Sequence, residues 1–256
     1  VILFPGGWFS SGAKEASILY GWIGEKVKDV LSGGKRKIVA VVGVDGRIGE
    51  FAKDQIAMAV GKEGIEAIGR KFHPAPKEKG QIELAKDHLS KEADKPRFFE
   101  LGGKRYFLGA CYDSFGIRHK RIPNLGIDVV LDLVHGFYPK GEGGSGDVYF
   151  AKHGFAGASK AWSCLVFGAT VFFDREIPGN WPSGVYWNQG NKSTQKWRYG
   201  DNPVRPKCQF EVRTKEGVAS VRIFDLDSER PAGEFHCGTN SNAGYERVSR
   251  RSDPSL

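Results

Sequence analysis

Three stretches of this chain are apolar almost without interruption: Lys37 to Val44 (KIVAVVGV), Ile127 to Leu133 (IDVVLDL) and Cys164 to Phe173 (CLVFGATVFF). Side chains alternate between the two faces of a strand, so a run with little polar alternation belongs to a strand covered on both sides. Helical patterns lie between such runs. Ala13 to Leu31 carries apolar residues at Ile18, Leu19, Trp22, Ile23, Val27, Val30 and Leu31, and Gly33-Gly34 follows as a stop signal. Ser145 to Trp162 reads as a second helix despite Gly154 and Gly157. Strands interleaved with helices in this way imply a layered α/β protein, not an all-β sandwich.

The remaining elements follow from turn chemistry. Val1 to Pro5 is a short strand running into a turn, and Asp45-Gly46 reads as a turn after the KIVAVVGV strand. Gln55 to Val60 and Ile65 to Lys71 form a hairpin about Gly61–Gly64, which delivers Arg70 and Lys71 to a strand end. Phe98 to Leu101 and Arg105 to Ala110 form a second hairpin that runs directly into Cys111. Between them, residues 73–96 read as a long polar loop with one short helix near Leu84 to Leu89, and long loops in compact domains are often functional. Gln209 to Arg213 and Ala219 to Phe224 make a third hairpin, and the last twenty residues read as a weakly ordered tail.

Composition narrows the function classes. The 256 residues are 40% hydrophobic and 27% charged, enough for a sizeable core. The longest apolar run, Cys164 to Phe173, is half of the roughly 20 residues a membrane helix needs, so no membrane span is expected. The net charge of +8 is spread along the chain instead of grouped with aromatic platforms, which fits a solvated basic surface and argues against nucleic-acid binding as a role. Glycine is abundant, 35 of 256, about twice the average of roughly 7%. Gly43, Gly46 and Gly49 lack the spacing of a phosphate cradle and read as turn glycines. Gly141, Gly143, Gly144 and Gly146 read as a flexible loop before the helix at Asp147, either an anion-receiving turn or a pocket lid. Cys111, Cys164, Cys208 and Cys237 have no paired spacing, and His236-Cys237 alone builds no metal site. Four free thiols fit a reducing, cytoplasmic compartment, and no cofactor or metal is expected.

The stretch richest in chemistry is Gly109-Ala110-Cys111-Tyr112-Asp113-Ser114-Phe115-Gly116. A cysteine immediately after a hydrophobic strand and before a short helix sits where its sulfur is exposed and backbone N–H groups face a developing oxyanion. Taken alone, the same residue also fits a buried structural cysteine.

Three blocks in order add weight: Leu3-Phe4-Pro5, Gly69-Arg70-Lys71-Phe72-His73-Pro74, and Gly109 to Asp113. Their order and spacing resemble the nitrilase superfamily of carbon-nitrogen hydrolases, whose strand ends carry F-P-E, R-K-x-H and G-x-x-x-C-x-D blocks. Gly126 to Leu131 and Ala156 to Thr170 resemble the family's later strand and helix-strand segments. The resemblance covers residues 1–185 best and continues loosely to 226, leaving 227–256 as an extension. It implies a four-layer α-β-β-α sandwich, with the family's first strand and helix expected upstream of Val1. It also implies a cysteine nucleophile, a lysine for the oxyanion and a glutamate base. On matching positions, Cys111 would attack an amide or nitrile carbon to give a thioester or thioimidate. Lys71 and the backbone N–H of Tyr112 would hold the oxyanion, and Glu78 or Glu83 would be the loop glutamate that supports the lysine. Relatives commonly dimerise, so a homo-oligomer (homodimer) is implied, and the aromatic stretch Trp181 to Trp197 would line either a pocket or a subunit interface.

One position departs from the family pattern. Where it calls for the base glutamate, this chain has Gly6 in Phe4-Pro5-Gly6-Gly7-Trp8, and Ser159-Lys160-Ala161-Trp162 lacks the acidic residue usual near that helix. A glycine can neither take a thiol proton nor return it to an amine, and losing a positioned acid-base costs about 10²- to 10⁴-fold. The substitutes available are Glu78, Glu83, Asp113, Asp132, His135 and His73. Two functions therefore stand side by side: an amidase- or nitrilase-like hydrolase with an altered base, and a catalytically impaired member that keeps the fold as a binding or assembly module.

Overall fold

The computed structural model describes residues 1–12, 14–34, 37–48, 52–138, 146–179, 181–214 and 217–226. The chain divides into two compact units, Val1–Pro203 and Val204–Leu256. In the first unit the order is β1 (Ile2–Leu3), β2 (Phe9–Ser10), α1 (Ala16–Ser32), β3 (Ala40–Ile48), β4 (Ala52–Gly61), β5 (Gly64–Arg70), β6 (Phe98–Leu101), β7 (Lys104–Ala110), α2 (Asp113–His119), β8 (Val129–Leu133), α3 (Asp147–Phe150), α4 (Ala156–Trp162), β9 (Leu165–Ala169) and β10 (Gly184–Val185). The helical path from α3 to α4 is continuous, joined by a wider turn over Ala151–Phe155. In the second unit β11 (Cys208–Thr214) and β12 (Gly217–Ile223) pair antiparallel, as the hairpin pattern requires.

The first sheet runs β1-β3-β4-β5, with β2 also on β3, and the second runs β10-β9-β8-β7-β6. Alternation along the first sheet decides what each face meets. Val42, Val44, Ile56, Met58, Val60 and Ile68 pack with Leu19, Tyr20 and Ile23 of α1. The intervening Ala57, Ala59 and Ala67 are fully buried as well, so this sheet is covered on both faces. Its β4 and β5 lie against β7 of the second sheet, while α2 packs on β7 and α4 on β9. A mixed α/β architecture with a central parallel trio, β7-β8-β9, results.

Several sequence expectations change. Helix α1 begins at Ala16, where the Ala16 N–H donates to the buried Asp54 carboxylate. Ile18, Trp22 and Val30 are exposed; the three-and-four spacing allowed two stripes, and the one centred on Ala16, Leu19 and Ile23 is buried. Strand β3 continues through Asp45 and Gly46, so these form no turn there. No helix forms at Leu84 to Leu89, because Lys71 O and Lys53 O take the N–H groups of Ala85 and Glu83, and the one helical turn of this loop is Pro76–Glu78. Cys111 and Cys164 are free thiols, but Cys208 is disulfide-bonded, so the expectation of four free thiols fails and the compartment reading loses that support. The terminal tail and Gly141, Gly143 and Gly144 lie outside the described residues. No helix among the described residues is long and apolar enough to cross a membrane.

Candidate active site

Cys111 follows the last residue of β7 and has φ +55°, a left-handed conformation that is uncommon for a side chain of any size. Its N–H donates to Leu133 O at 3.0 Å, which ties it to the end of β8. A non-glycine residue held in this region stores strain that surrounding contacts must hold, and such residues cluster at functional sites. Those contacts are visible. Asp113, fully buried at the start of α2, accepts from the N–H groups of Phe72 and His73 at 2.9 Å each and of Ala110 at 3.0 Å. Arg97 Nη1 also donates to it at 3.0 Å, and the Arg97 guanidinium lies 5.0 Å from the Phe72 ring centre and 5.5 Å from that of Phe107. One carboxylate thus clamps the end of β5 to the end of β7, and so Lys71 to Cys111.

Lys71 is fully buried, with Nζ donating at 2.7 Å to Glu78 Oε2 and at 2.7 Å to Gln55 Oε1. Burial works against its charge, but Cys111, Glu78 and Asp113 outweigh it and raise its pKa, so Lys71 is an ammonium. Burial likewise acts to raise the Glu78 pKa, and the Lys71 ammonium, with the Ala75 N–H and Gln55 amide, lowers it instead. Of the two loop glutamates, Glu78 therefore meets the lysine, while Glu83 sits 3.8 Å from Arg70 Nη1. The Tyr112 ring stacks on Phe115 with centres 4.5 Å apart and lies 5.9 Å from Lys71 Nζ.

His135, two residues past β8, also bears on Cys111. Its Nε2 lies 2.9 Å from Asp45 Oδ1, and its side chain is 26% exposed. The path of residues 5–7 makes this placement possible. Gly6 N–H donates to Val134 O at 3.1 Å, one carbonyl beyond the one that holds Cys111. A Cβ on Gly6 would come within 2.8 Å of both His135 Nδ1 and Leu133 O, so the imidazole fills the space a side chain there would enter. Gly43 is a strand residue, not a turn residue: a Cβ on it would lie 2.5 Å from Pro5 O, so its bare Cα lets residues 5–7 press against β3.

The other candidates serve elsewhere. Asp113 is saturated by the clamp. Asp132 is buried, accepts from Ser114 Oγ, and burial foremost pushes its pKa well above the carboxylate range. His73 packs against the His119 ring at 5.9 Å, and burial, reinforced by Lys120 and His119, lowers its pKa to about 4. Sequence reading missed Asp45 and Gln55. A strand running on through Gly43-x-Asp45-Gly46 would have placed Asp45 at the same sheet edge as Gln55, its cross-strand partner in β4. A separate cavity of about 150 Å³, lined by His88, Phe98, Phe107, Ile127 and Trp162 among others, includes none of these site residues. Among the described residues no group of three or more His, Cys, Asp or Glu is placed to hold a metal ion.

No family model and no curated protein matches the chain. Solved structures do. An amidase from Nesterenkonia sp. is 16% identical with a TM-score of 0.47, over 66% of this chain and 62% of that one. A mutant of that amidase, showing the result of Michael addition of acrylamide at its active-site cysteine, is 17% identical with a TM-score of 0.43, over 66% and 64%. A glutamine-dependent NAD+ synthetase from Acinetobacter baumannii is 19% identical with a TM-score of 0.43, over 66% of this chain and 31% of that one. The matched part of this chain thus spans less than two thirds of each of these proteins.

Proposed function

We propose that the protein is a carbon-nitrogen hydrolase of the nitrilase type, with a four-layer α-β-β-α arrangement, that cleaves an amide or nitrile through a thioester-type intermediate on Cys111. The observation that carries this reading is Cys111 on a left-handed turn at a strand end, with the buried Lys71 ammonium bearing on it. In this reading Cys111 Sγ attacks the substrate carbon, and Lys71 Nζ with the Tyr112 N–H holds the oxygen as it gains negative charge. Glu78 and Gln55 fix the lysine. The leaving amine departs with a proton, and water releases the acid from the thioester. The substrate is a small amide or nitrile, and no cofactor takes part. A homo-oligomer and a cytoplasmic setting belong to the same proposal.

The alternative, a binding module without turnover, is favoured by one observation: Gly6 offers no carboxylate where the family pattern has its base. A panel of acetamide, butyramide, benzamide and the matching nitriles separates the two. The hydrolase reading expects ammonia release and an acyl adduct on Cys111 in the intact mass, both absent in Cys111→Ala. No release and no adduct with any member of the panel would leave the binding module.

A further inference from the structure

His135 Nδ1 is buried with no nitrogen or oxygen partner among the described residues, the Cys111 thiol being the group that bears on it, whereas the ring's other nitrogen is held by Asp45 Oδ1 at 2.9 Å. With Nε2–H donated to the carboxylate, Nδ1 is the ring nitrogen left to exchange a proton with a neighbour. That nitrogen occupies the volume that a side chain at residue 6 would need. A side chain at position 6 would therefore force the imidazole or the backbone at Leu133 to shift, and this chain has glycine there and the imidazole in place. The Cys111 thiol is the second group, after Asp45, that acts on the ring.

We propose that His135, oriented by Asp45, is the general acid-base that serves Cys111 in place of a carboxylate at position 6. This inference rests on the hydrolase reading and supplies the proton path it lacked. For an amide, the ring starts as an imidazolium that already holds the Cys111 proton on Nδ1, and the sulfur bonds to the carbonyl carbon as the carbonyl π pair moves to oxygen. As the oxyanion collapses, the C–N bond breaks and the Nδ1–H proton passes to the departing nitrogen, leaving a thioester and a neutral amine. A water then gives one proton to Nδ1 as its oxygen bonds to the thioester carbon. The C–S bond breaks, the acid leaves, and Nδ1 again holds the proton beside the sulfur. One amide and one water become one acid and one amine, with the enzyme unchanged. Asp45 is a positioning residue: it touches no reacting atom, fixes the tautomer and stabilises the imidazolium.

The charges around the ring agree. Among the described residues, Asp45 from β3, Cys111 from the end of β7 and Asp132 from β8 are titratable groups that act on it. Burial acts to lower the His135 pKa, but Asp45 and then Cys111 outweigh it and raise it to about 10.

The test uses the full chain with iodoacetamide as probe. His135→Gln is expected to slow alkylation of Cys111 at neutral pH by about tenfold or more. Asp45→Asn should slow it less, with part of the rate restored in Asp45→Glu, while Cys164 alkylates equally slowly in every variant. In the wild type the His135 ring proton resonance should titrate well above 6.5, and Asp45→Asn should bring it down. An unchanged Cys111 rate in a folded His135→Gln overturns the inference. If that variant does not fold, a wild-type His135 that titrates near 6.5 overturns it instead. Amide turnover retained in His135→Gln removes this inference and leaves the hydrolase reading. Fast His135-dependent alkylation without wild-type turnover on any amide or nitrile removes the hydrolase reading and keeps the Cys111–His135 pairing.

Discussion

Two cation-carboxylate pairs flank Cys111, and they differ in what they leave unsatisfied. Arg97 and Asp113 are both sealed from solvent, and Asp113 spends its oxygens on the guanidinium and three backbone N–H groups. His135 and Asp45 are 26% and 20% exposed at their side chains, and one ring nitrogen has no nitrogen or oxygen partner among the described residues. A saturated buried pair can only hold geometry, because any proton it moved would leave a charge stranded. A pair with one ring nitrogen beside a thiol can hold that proton and return it. In the proposed chemistry the same kind of pairing yields a clamp in one case and an acid-base in the other.

That contrast breaks most sharply at the nucleophile. Cys111→Ala should remove all amide turnover and every acyl adduct while leaving the melting temperature near wild type, read by ammonia release and thermal denaturation. Retained turnover would transfer the chemistry to another residue. Arg97→Met should do the opposite, hitting stability first: leaving Asp113 as an unpaired buried carboxylate costs about 3–5 kcal/mol, or roughly 6–20 °C in melting temperature. A loss of only a degree or two would deny the clamp its role. Lys71→Met should lower kcat by about 10²- to 10³-fold, the cost of one oxyanion donor, measured at saturating amide.

The smallest effects lie in the pH dependence of stability, where the two sides of the site have opposite signs. Glu78 has a lowered pKa in the fold, so its contribution is present above the unfolded value of 4.5 and is lost as pH falls through the folded value. His135 has a raised pKa, so its contribution is full below 6.5 and fades as pH rises to about 10. Melting temperature against pH should therefore lose part of its acid limb in Glu78→Gln and part of its alkaline limb in Asp45→Asn. A variant that alters the other limb, or both equally, would show that the two carboxylates do not act separately.

The half of the site built from neighbours in sequence was legible. Hairpin ends delivered Lys71 and Cys111, and the R-K-x-H and G-x-x-x-C-x-D blocks gave their roles as a resemblance. Glu78 was among the loop glutamates named, and the structure singles it out from Glu83 through the Pro76–Glu78 turn, where the Ala75 N–H also donates to its carboxylate. The His135–Asp45 half was not legible as a unit, because ninety residues separate the partners and only the pairing of distant strand ends joins them. His135 appeared merely as one candidate among six. Asp45 was hidden by its neighbours: Gly46 invited a turn, whereas both Gly43 and Gly46 are strand residues whose missing side chains admit the backbone of residues 5–7 and 15–16. The exposed Ile18 and Trp22 of α1 make a similar point about helices, since periodicity names a face without saying which of two overlapping stripes is buried.

The most direct measurement is peptide-resolved alkylation of the wild-type protein by stoichiometric iodoacetamide at neutral pH. Cys164, buried with its thiol pKa pushed up to about 12, is the internal reference. A nucleophile flanked by Lys71 and His135 should alkylate at least ~10²-fold faster than that reference. Cys111 reacting no faster than Cys164 would contradict both its role as nucleophile and the site built around it.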